Sequence, residues 1–400
     1  MQATTTTDPI RKRFDSDSEA RFLLTPGQSI TLSVDSGSVF YNGWQLPETG
    51  QVVFRDKDFT LMSYKDSYTL KFMGKLPRFY AAKRIPQESV LLHAAYDLIN
   101  QKYVVAVCGP PLSGKTTACQ TIINLALHGV PQHLREKPVP IYVNLDPAQA
   151  PFCPPGSIGA LPITKPIDNT GFKIENPLTY FFGHTEIDEA HRDRYVDLVH
   201  ELSTYVKQRR QAISQIDGGV VIDLPSATNE NVLPGIAQAI KDFDVTHIVC
   251  MGDDRLVAAF QRSFPWIKVW GMPALGAAHD DEIAIRSAQR SLDTKRYFDG
   301  DDSADLVSMT YRFTNRDDFK LYKVDKREPE EVPITTSLMS SVVAIVQRPH
   351  VSNELWKQNV LGYLTITKVQ NEDNIEVLKP KQSLPNDVQF IIGSIKYLIK

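Results

Sequence analysis

The residues best suited to chemistry lie at positions 109–116, which read GPPLSGKT and match the pattern GxxxxGK[ST] without a mismatch. In such a loop the backbone N–H groups bind phosphate oxygens, supported by the positive end of the following helix. Gly109 and Gly114 let the backbone turn where a Cβ would clash. Lys115 reaches the β- and γ-phosphates, and the Thr116 hydroxyl binds Mg²⁺.

The flanking sequence separates a true phosphate-binding loop from an ordinary glycine turn. Residues 103–108 form a short apolar, β-branched run that predicts a buried strand, and residues 116–127 predict a helix that stops before Gly129 and Pro131. Strand, glycine loop and helix in this order are the context that a P-loop requires. The sequence therefore predicts nucleotide binding.

Two carboxylates follow predicted buried strands of the same region. Asp146 ends the run at 139–145, with Gln149 three residues later, and Asp223 ends the run at 218–223. Beside a P-loop, a carboxylate at Asp146 can orient Mg²⁺ or accept a proton from an attacking hydroxyl, and Gln149 could position water, metal or substrate. The alternatives are a solvated Asp-Pro turn for Asp146 and an ordinary strand-end residue for Asp223.

A cationic helix is predicted at 280–300. Its Arg286 and Arg290 are four residues apart and so share one face. Two guanidinium groups on one face suit a clamp on transferring phosphate. A solvated charged helix is the competing interpretation.

The hydrophobic pattern divides the chain into four parts. Residues 1–18 are polar and predict a disordered tail. Residues 19–100 contain short alternating runs between glycine turns and then a helix, which predicts a small N-terminal β-sandwich with a connecting helix. Residues 101–300 alternate strands and helices, which predicts an α/β P-loop core with a parallel sheet and helices on both faces. Residues 301–400 predict a polar linker and a small C-terminal α+β or β domain.

Composition sets limits on function. The chain of 400 residues has a net charge of −3, so no overall basic field attracts nucleic acid. Its four cysteines are scattered without a CxxC pair, which predicts reduced thiols. No signal peptide and no apolar run of about 18 residues are found, so no membrane span is expected.

The order of these features resembles the Clp subunits of mRNA cleavage and polyadenylation factor I, the fungal-type members of the polynucleotide 5′-hydroxyl kinase family. The resemblance covers nearly the whole chain. It rests on ARF at 20–22, GPPLSGKTT, YVNLDPAQ, PGSIGALPITKPID at 155–168, FFGH at 181–184, RSAQR with KRYFDG, and the closing IIGSIKYLI. It implies ATP and Mg²⁺ binding, nuclear location, and assembly with other cleavage-factor subunits, notably the one that contacts the RNA polymerase II C-terminal domain. It leaves open an indirect contact with RNA.

The resemblance also implies roles for individual residues. Glu19 would contact the adenine or ribose from the N-terminal domain, and Lys57 stands beside the position of a nucleotide-binding lysine. Asp146 would correspond to the general base for the RNA 5′-hydroxyl, and Arg286 and Arg290 to lid arginines. The phosphates would be held by Leu112, Ser113, Gly114, Lys115, Thr116 and Thr117.

The sequence departs from active kinases of this family in one segment. Those enzymes carry T-x-G-W after the second carboxylate-bearing strand, where the tryptophan helps to clamp RNA. Here residues 223–227 read DLPSA, with neither that glycine nor the tryptophan. Loss of a stacking platform costs about 1–3 kcal/mol per base, so substrate positioning is weakened while the P-loop is retained.

Two functions of different classes follow. The favoured one is a structural subunit for endonucleolytic cleavage and 3′-end formation of pre-mRNA, with ATP held between the N-terminal and P-loop domains. The alternative is an active RNA 5′-hydroxyl kinase, in which Asp146 takes the proton while Lys115, Arg286 and Arg290 stabilise the developing charge. A GTPase is a distant third, because no N/T-K-x-D motif follows the strand at 245–251.

Overall fold

The computed structural model describes three parts joined in chain order, each built on one or two β-sheets. It covers residues 9–16, 18–25, 27–83, 88–130, 137–212, 217–226, 230–275, 282–299, 308–325, 328–380, 384 and 386–397. The linker predicted at 301–305 and the first eight residues of the predicted tail lie outside this range. Within it, no helix is both long and apolar enough to cross a bilayer, and the four cysteines are buried and free.

The N-terminal part is a sandwich of two antiparallel sheets. Alternate side chains of the strands point between the sheets and form an aromatic core, in which Phe54 stacks on Phe59 with ring centroids 3.8 Å apart. One sheet has the order β1-β8-β3-β6 and the other β5-β4-β7-β2-β9. The strands are β1 (Ile10–Phe14), β2 (Ser18–Leu23), β3 (Ser29–Ser36), β4 (Phe40–Tyr41), β5 (Trp44–Gln45), β6 (Val52–Arg55), β7 (Phe59–Met62), β8 (Tyr68–Met73) and β9 (Arg78–Lys83).

Strand β1 corrects the prediction of a disordered tail at 1–18. Its residues pair antiparallel with β8 from Ile10 to Phe14. Four of the five side chains are exposed, so the segment looks polar in sequence, yet Phe14 is buried against Tyr68. The backbone pairing and this one aromatic anchor hold a strand that its composition does not reveal.

The central part is built on a seven-stranded sheet of order β13-β12-β11-β14-β10-β15-β16. Five neighbouring strands, β11, β14, β10, β15 and β16, run parallel to one another. Strands β12 and β13 extend the sheet beyond β11, each antiparallel to its neighbour. The strands are β10 (Val104–Cys108), β11 (Val139–Asn144), β12 (Ser157–Pro162), β13 (Leu178–Phe181), β14 (Asp217–Asp223), β15 (His247–Met251) and β16 (Lys268–Met272). The helices are α1 (Glu88–Gln101), α2 (Lys115–His128), α3 (Arg192–Ala212), α4 (Leu233–Asp242), α5 (Asp254–Ser263) and α6 (Glu282–Asp299).

Both faces of this sheet are covered by helices, as predicted. Val105 and Val107 of β10 pack in one core with α1 and α2, whereas Ala106 packs in the other core with α3, α4 and α5. Strand side chains alternate between faces, so one apolar run serves both cores. The sequence prediction missed β12 and β13, because β12 is buried at every position and contains glycine and proline.

The C-terminal part is a seven-stranded sheet of order β17-β22-β21-β20-β23-β18-β19 with short 3₁₀ turns. One face encloses its own apolar core, and the other joins the core formed by α1, α2 and the central sheet. This shared core fixes the C-terminal sheet against the central part. The strands are β17 (Ser308–Phe313), β18 (Leu321–Lys323), β19 (Glu330–Val332), β20 (Ser341–Gln347), β21 (Val360–Asn371), β22 (Asn374–Pro380) and β23 (Val388–Lys396).

Candidate functional site: a nucleotide cavity at the P-loop

The loop between β10 and α2 has the backbone of a phosphate-binding loop. A Cβ on Gly109 would lie 2.6 Å from the carbonyl oxygen of Met251, and Gly114 adopts a φ of 90° at the start of α2. Leu112 takes the left-handed region as well, with a φ of 56°. The Leu275 N–H donates to the Ser113 carbonyl at 2.9 Å and supports the loop from outside. These positions fit the predicted need for glycine where the chain turns around phosphate.

Lys115 is buried inside this loop. Its ammonium group donates to the carbonyls of Gly109 at 3.3 Å and Pro110 at 3.2 Å, and to the Ser226 hydroxyl at 2.7 Å. Ser226 belongs to the segment after β14 that departs from the kinase pattern. The side chain of Lys115 is therefore fixed with its charge at the centre of the loop.

A buried carboxylate lies directly beside Thr116. Asp223, at the end of β14, accepts hydrogen bonds through Oδ2 from the Thr116 hydroxyl at 2.6 Å and from the Tyr142 hydroxyl at 3.0 Å. Its Oδ1 is buried and has no hydrogen-bond partner among the described residues. Burial raises the pKa of Asp223 to about 6, although Lys115 and Thr116 oppose that rise. An orphaned carboxylate oxygen next to a threonine hydroxyl is a fitting donor pair for Mg²⁺.

Asp146 follows β11 and faces the lid-like helix. Its Oδ1 accepts from the Ala148 N–H at 2.9 Å, and its Oδ2 lies 3.7 Å from Nη2 of Arg286. Arg290 lies on the same side of α6, where burial and the charge of Arg286 lower its pKa. These three residues line a polar cavity of about 290 Å³ together with Pro147, Ala148, Thr185, Glu186, Ile187, Pro225, Ser226 and Val232.

A second cavity, of about 390 Å³, lies between the P-loop and the N-terminal sandwich. The sandwich contributes Glu19, which is buried and paired with Arg21, and the aromatic rings of Tyr41, Tyr64 and Tyr80. Aromatic faces and hydrogen-bonding side chains opposite a phosphate loop can hold a nucleoside. From the predicted set the cavity is lined by Glu19, Leu112, Gly114, Lys115, Thr116, Thr117 and Gln149.

The predicted residues thus fall in four places. Most of them line the larger cavity, whereas Asp146, Arg286 and Arg290 line the smaller one. Gly109 and Ser113 belong to the loop but do not line the larger cavity. The Ser113 hydroxyl is buried without a hydrogen-bond partner among the described residues. Lys57 stands apart from the cavity lining, because its ammonium group donates to the Asn169 carbonyl at 2.9 Å.

Sequence reasoning missed the tyrosines and Arg21 of the sandwich. The only signal for Arg21 was its place in the ARF motif, next to Glu19. The tyrosines come from three different strands or turns, and no spacing in the sequence connects them. Their convergence depends on the pairing of the two sheets.

Two family models match this chain. The model described as mRNA cleavage and polyadenylation factor CLP1 P-loop matches residues 109–300, and the model described as Pre-mRNA cleavage complex II protein Clp1 matches residues 302–398. The chain belongs to the Clp1 family. This confirms the resemblance found in the sequence.

Clp1 relatives carry two kinds of description. The mRNA cleavage and polyadenylation factor CLP1 of Eremothecium gossypii is 28% identical over 329 residues, which cover 74% of this chain and 72% of that protein. The Polyribonucleotide 5′-hydroxyl-kinase Clp1 of Bos taurus is 23% identical over 409 residues, which cover 94% of each. A Protein CLP1 homolog of Brugia malayi is 25% identical over 96% of this chain and 94% of its own length.

Solved structures of Clp1p with Pcf11p share this fold. Two of them match with a TM-score of 0.85 at 21% identity, over 98% of this chain and 99% of theirs. One is described as the wild-type Clp1p–Pcf11p (454–563) complex. The other is described as an extended interface between the two proteins and the structural basis for ATP loss in a glycine-to-arginine point mutant. The three-part α/β fold predicted from the sequence is thereby confirmed.

Proposed function

We propose that this chain is a nuclear, ATP-holding subunit of the machinery that cleaves pre-mRNA and forms its 3′ end, and that it does not phosphorylate RNA. The observation that carries the proposal is the cavity of about 390 Å³ lined both by the P-loop and by the N-terminal sandwich. A nucleotide in that cavity contacts both parts and holds them together. A ligand at 1,000 times its dissociation constant adds about 4 kcal/mol of stability.

Each end of the nucleotide has residues suited to it. The loop N–H groups from 112 to 117 and the Lys115 ammonium bind the phosphates. The tyrosines and the Glu19–Arg21 pair face the base and ribose. Lys57 supports the cavity indirectly by its bond to Asn169, which joins the sandwich to the central part.

Thr116 and Asp223 would hold Mg²⁺. Gln149 lines the same cavity as Thr116, and the charge of Asp146 acts on Asp223, so these two residues would order water ligands of the ion. When bound, the ion neutralises phosphate charge. The chain's own contribution is to keep the Asp223 carboxylate buried and oriented by Thr116 and Tyr142. Because Asp223 Oδ1 has no other partner among the described residues, a cation there would satisfy it.

The segment after Asp223 supports the proposal that ATP is retained without transfer of its γ-phosphate to RNA. It lacks the tryptophan that clamps RNA in active kinases, and its Ser226 hydroxyl is a hydrogen-bond partner of Lys115. A substrate strand would therefore find no stacking platform at this position.

Relatives support the place of the chain in a larger assembly. Clp1p forms a complex with Pcf11p, and the Eremothecium gossypii relative is an mRNA cleavage and polyadenylation factor. We infer that this chain joins the other cleavage-factor subunits through an equivalent partner, the one that contacts the RNA polymerase II C-terminal domain.

The smaller cavity favours a second candidate, the RNA 5′-hydroxyl kinase. There Asp146 would accept the proton of the 5′-hydroxyl while Arg286 and Arg290 stabilise charge on the transferring phosphoryl group. The 3.7 Å approach of Arg286 to Asp146 places a base and a cation together.

One experiment separates the two candidates. The purified chain is incubated with 5′-hydroxyl RNA and γ-labelled ATP, and a parallel sample is denatured to identify the released nucleotide. Intact ATP without labelled RNA supports the proposal. Lys115→Ala should then lose the nucleotide, whereas the exposed Lys241→Ala should retain it.

Labelled RNA that disappears in Asp146→Asn would establish the kinase instead. A Lys115→Ala chain with normal nucleotide content and normal partner assembly would contradict the structural role of ATP.

A further inference from the structure

A cluster of two histidines and an aspartate lies where the central part meets the C-terminal sheet. His184 follows β13 and His191 immediately precedes α3, whereas Asp325 follows β18 on the C-terminal sheet. All three residues are partly buried. The cluster is separate from both cavities at the P-loop, and the proposed nucleotide site does not use it.

The facing atoms are close enough to share one ion. His184 Nε2 lies 3.2 Å from Asp325 Oδ1, and His191 Nε2 lies 3.9 Å from Asp325 Oδ2. One ligand atom from each residue lies within 4.8 Å of the other two. In a tetrahedral zinc site, with metal–ligand bonds of about 2.0–2.2 Å, neighbouring ligand atoms are roughly 3.3–3.6 Å apart. The separations from Asp325 are already close to these values. The two imidazole rings stack with centroids 3.8 Å apart, so they must rotate to bring both Nε2 atoms onto one ion.

The second ring nitrogen of each histidine is already occupied. His191 Nδ1 lies 2.6 Å from Asp188 Oδ1, a carboxylate that can only accept, so this nitrogen carries a proton. His184 Nδ1 lies 3.1 Å from the Ser394 hydroxyl, which itself donates to the Gly183 carbonyl at 3.3 Å. In the neutral form, both rings would therefore direct an Nε2 lone pair at Asp325. Histidines that ligate metal are oriented in this way by outer partners.

Two lone pairs facing a carboxylate require a positive charge between them. Protons on both imidazoles would supply it, and so would one divalent ion. The nearby charges favour a cation. The two carboxylates of Asp188 and Asp325 carry more charge than the one guanidinium of Arg194, which lines a common cavity with Asp325. Arg194 weakens this attraction but does not cancel it.

We propose that His184, His191 and Asp325 bind one Zn²⁺ ion, which joins the central part to the C-terminal sheet. Three protein ligands of N and O type suit zinc, and a water molecule completes the tetrahedron. The ion stabilises the packing of the two parts, because the ligands come from both sides of their boundary.

Equilibrium dialysis against buffered micromolar free zinc tests this proposal on the full chain without nucleotide, after treatment with EDTA. Wild type should bind one zinc per chain, and Co²⁺ in its place should give the visible absorption of a tetrahedral site. His184→Ala, His191→Ala and Asp325→Asn should each lower zinc affinity at least tenfold, and Asp188→Asn should lower it by roughly 10–100-fold.

The matched control is His200→Ala. His200 also pairs with an aspartate, Asp242 at 2.9 Å, but this pair lies outside the cluster. The control should bind zinc like wild type, and zinc should raise the melting temperature of wild type and His200→Ala but not that of Asp325→Asn. Circular dichroism and retained ATP binding verify that each variant is folded.

Two results would overturn the proposal. If wild type binds no zinc under these conditions, protons fill the cluster. If the three ligand variants bind zinc as wild type does, the ion lies elsewhere, for example at the buried cysteines Cys108 and Cys250, whose sulfur atoms are 3.1 Å apart.

Discussion

At the scale of single residues, Asp146 and Asp223 have different environments although both lie at the carboxyl ends of parallel strands. Both oxygens of Asp146 face a neighbour, the Ala148 N–H and the Arg286 guanidinium. Asp223 binds Thr116 through one oxygen and has the other buried without a partner among the described residues. Asp223 is thus the better candidate for a Mg²⁺ ligand, while Asp146 is placed to act as a base or to anchor α6.

Asp223→Asn should lower Mg²⁺-dependent ATP affinity by roughly tenfold or more, which is about 1.4 kcal/mol. Asparagine keeps the shape of the side chain but replaces one ligand oxygen by an NH₂ group. The measurement is the rise in melting temperature caused by ATP with Mg²⁺, compared with ATP and EDTA.

Asp217→Asn is the control for this variant, since Asp217 begins the same strand and pairs with Arg210 at the opposite end. It should lower stability without changing the Mg²⁺ effect. A full Mg²⁺ effect in Asp223→Asn would assign the metal carboxylate to Asp146 instead.

At the scale of elements, the predictable features are those set by local sequence. The strand, loop and helix around Gly109 and Lys115 were predicted because backbone turns and apolar runs are local properties. The contact of Thr116 with Asp223 joins residues 107 positions apart, and neither spacing nor composition encodes it. The tyrosines of the larger cavity converge for the same reason. Strand β1 was missed because its pairing with β8, not its composition, makes it a strand.

Helix α6 carries a carboxylate whose burial makes its charge costly. Asp293 accepts a hydrogen bond from Gln289 at 2.8 Å, and its side chain is 12% exposed. Burial raises its pKa from 3.8 to about 6, against the lowering effects of Gln289 and Arg296. Above pH 6 the Asp293 carboxyl is ionised in both the folded and the unfolded chain, and its burial destabilises the folded chain by about 1–3 kcal/mol. As the pH falls below about 4, Asp293 becomes protonated in both states and this cost disappears.

Asp293→Asn should therefore raise the free energy of unfolding by about 1–3 kcal/mol at pH 7.5, and the gain should vanish as the pH falls from 6 to 4. Asparagine can still accept from Gln289, and the lost ion pair with the half-exposed Arg296 is worth little. Urea unfolding across this pH range measures the effect. Asp244→Asn, at an exposed ion pair with Lys207, should change stability by less than about 0.5 kcal/mol at every pH. A gain that persists at pH 4 would show that Asp293 is not the titrating group.

At the scale of the whole molecule, the nucleotide cavity exists only while the sandwich is attached to the P-loop helix. Asn124 of α2 is a central element of this attachment. Its amide group donates to the carbonyls of Asn42 at 2.8 Å and Ile167 at 2.9 Å, and it accepts from the Ile167 N–H at 2.8 Å. A second bond joins Asn42 to Gln120 at 3.1 Å. The side chain of Asn124 is buried but does not line the cavity.

Asn124→Ala should therefore weaken ATP binding without removing any group that lines the nucleotide cavity. It leaves buried partners unpaired on both sides of the boundary, at a cost of about 1–3 kcal/mol for each such group, and the sandwich should separate from α2 more often. The expected result is faster proteolytic release of the N-terminal part and lower ATP affinity, with saturating ATP restoring protection because the ligand binds only the attached form. Asn100→Ala removes an exposed bond to Tyr96 within α1 and should change neither property. If Asn124→Ala loses stability while its ATP affinity stays at the wild-type value, the P-loop alone holds the nucleotide and the sandwich is not part of the site.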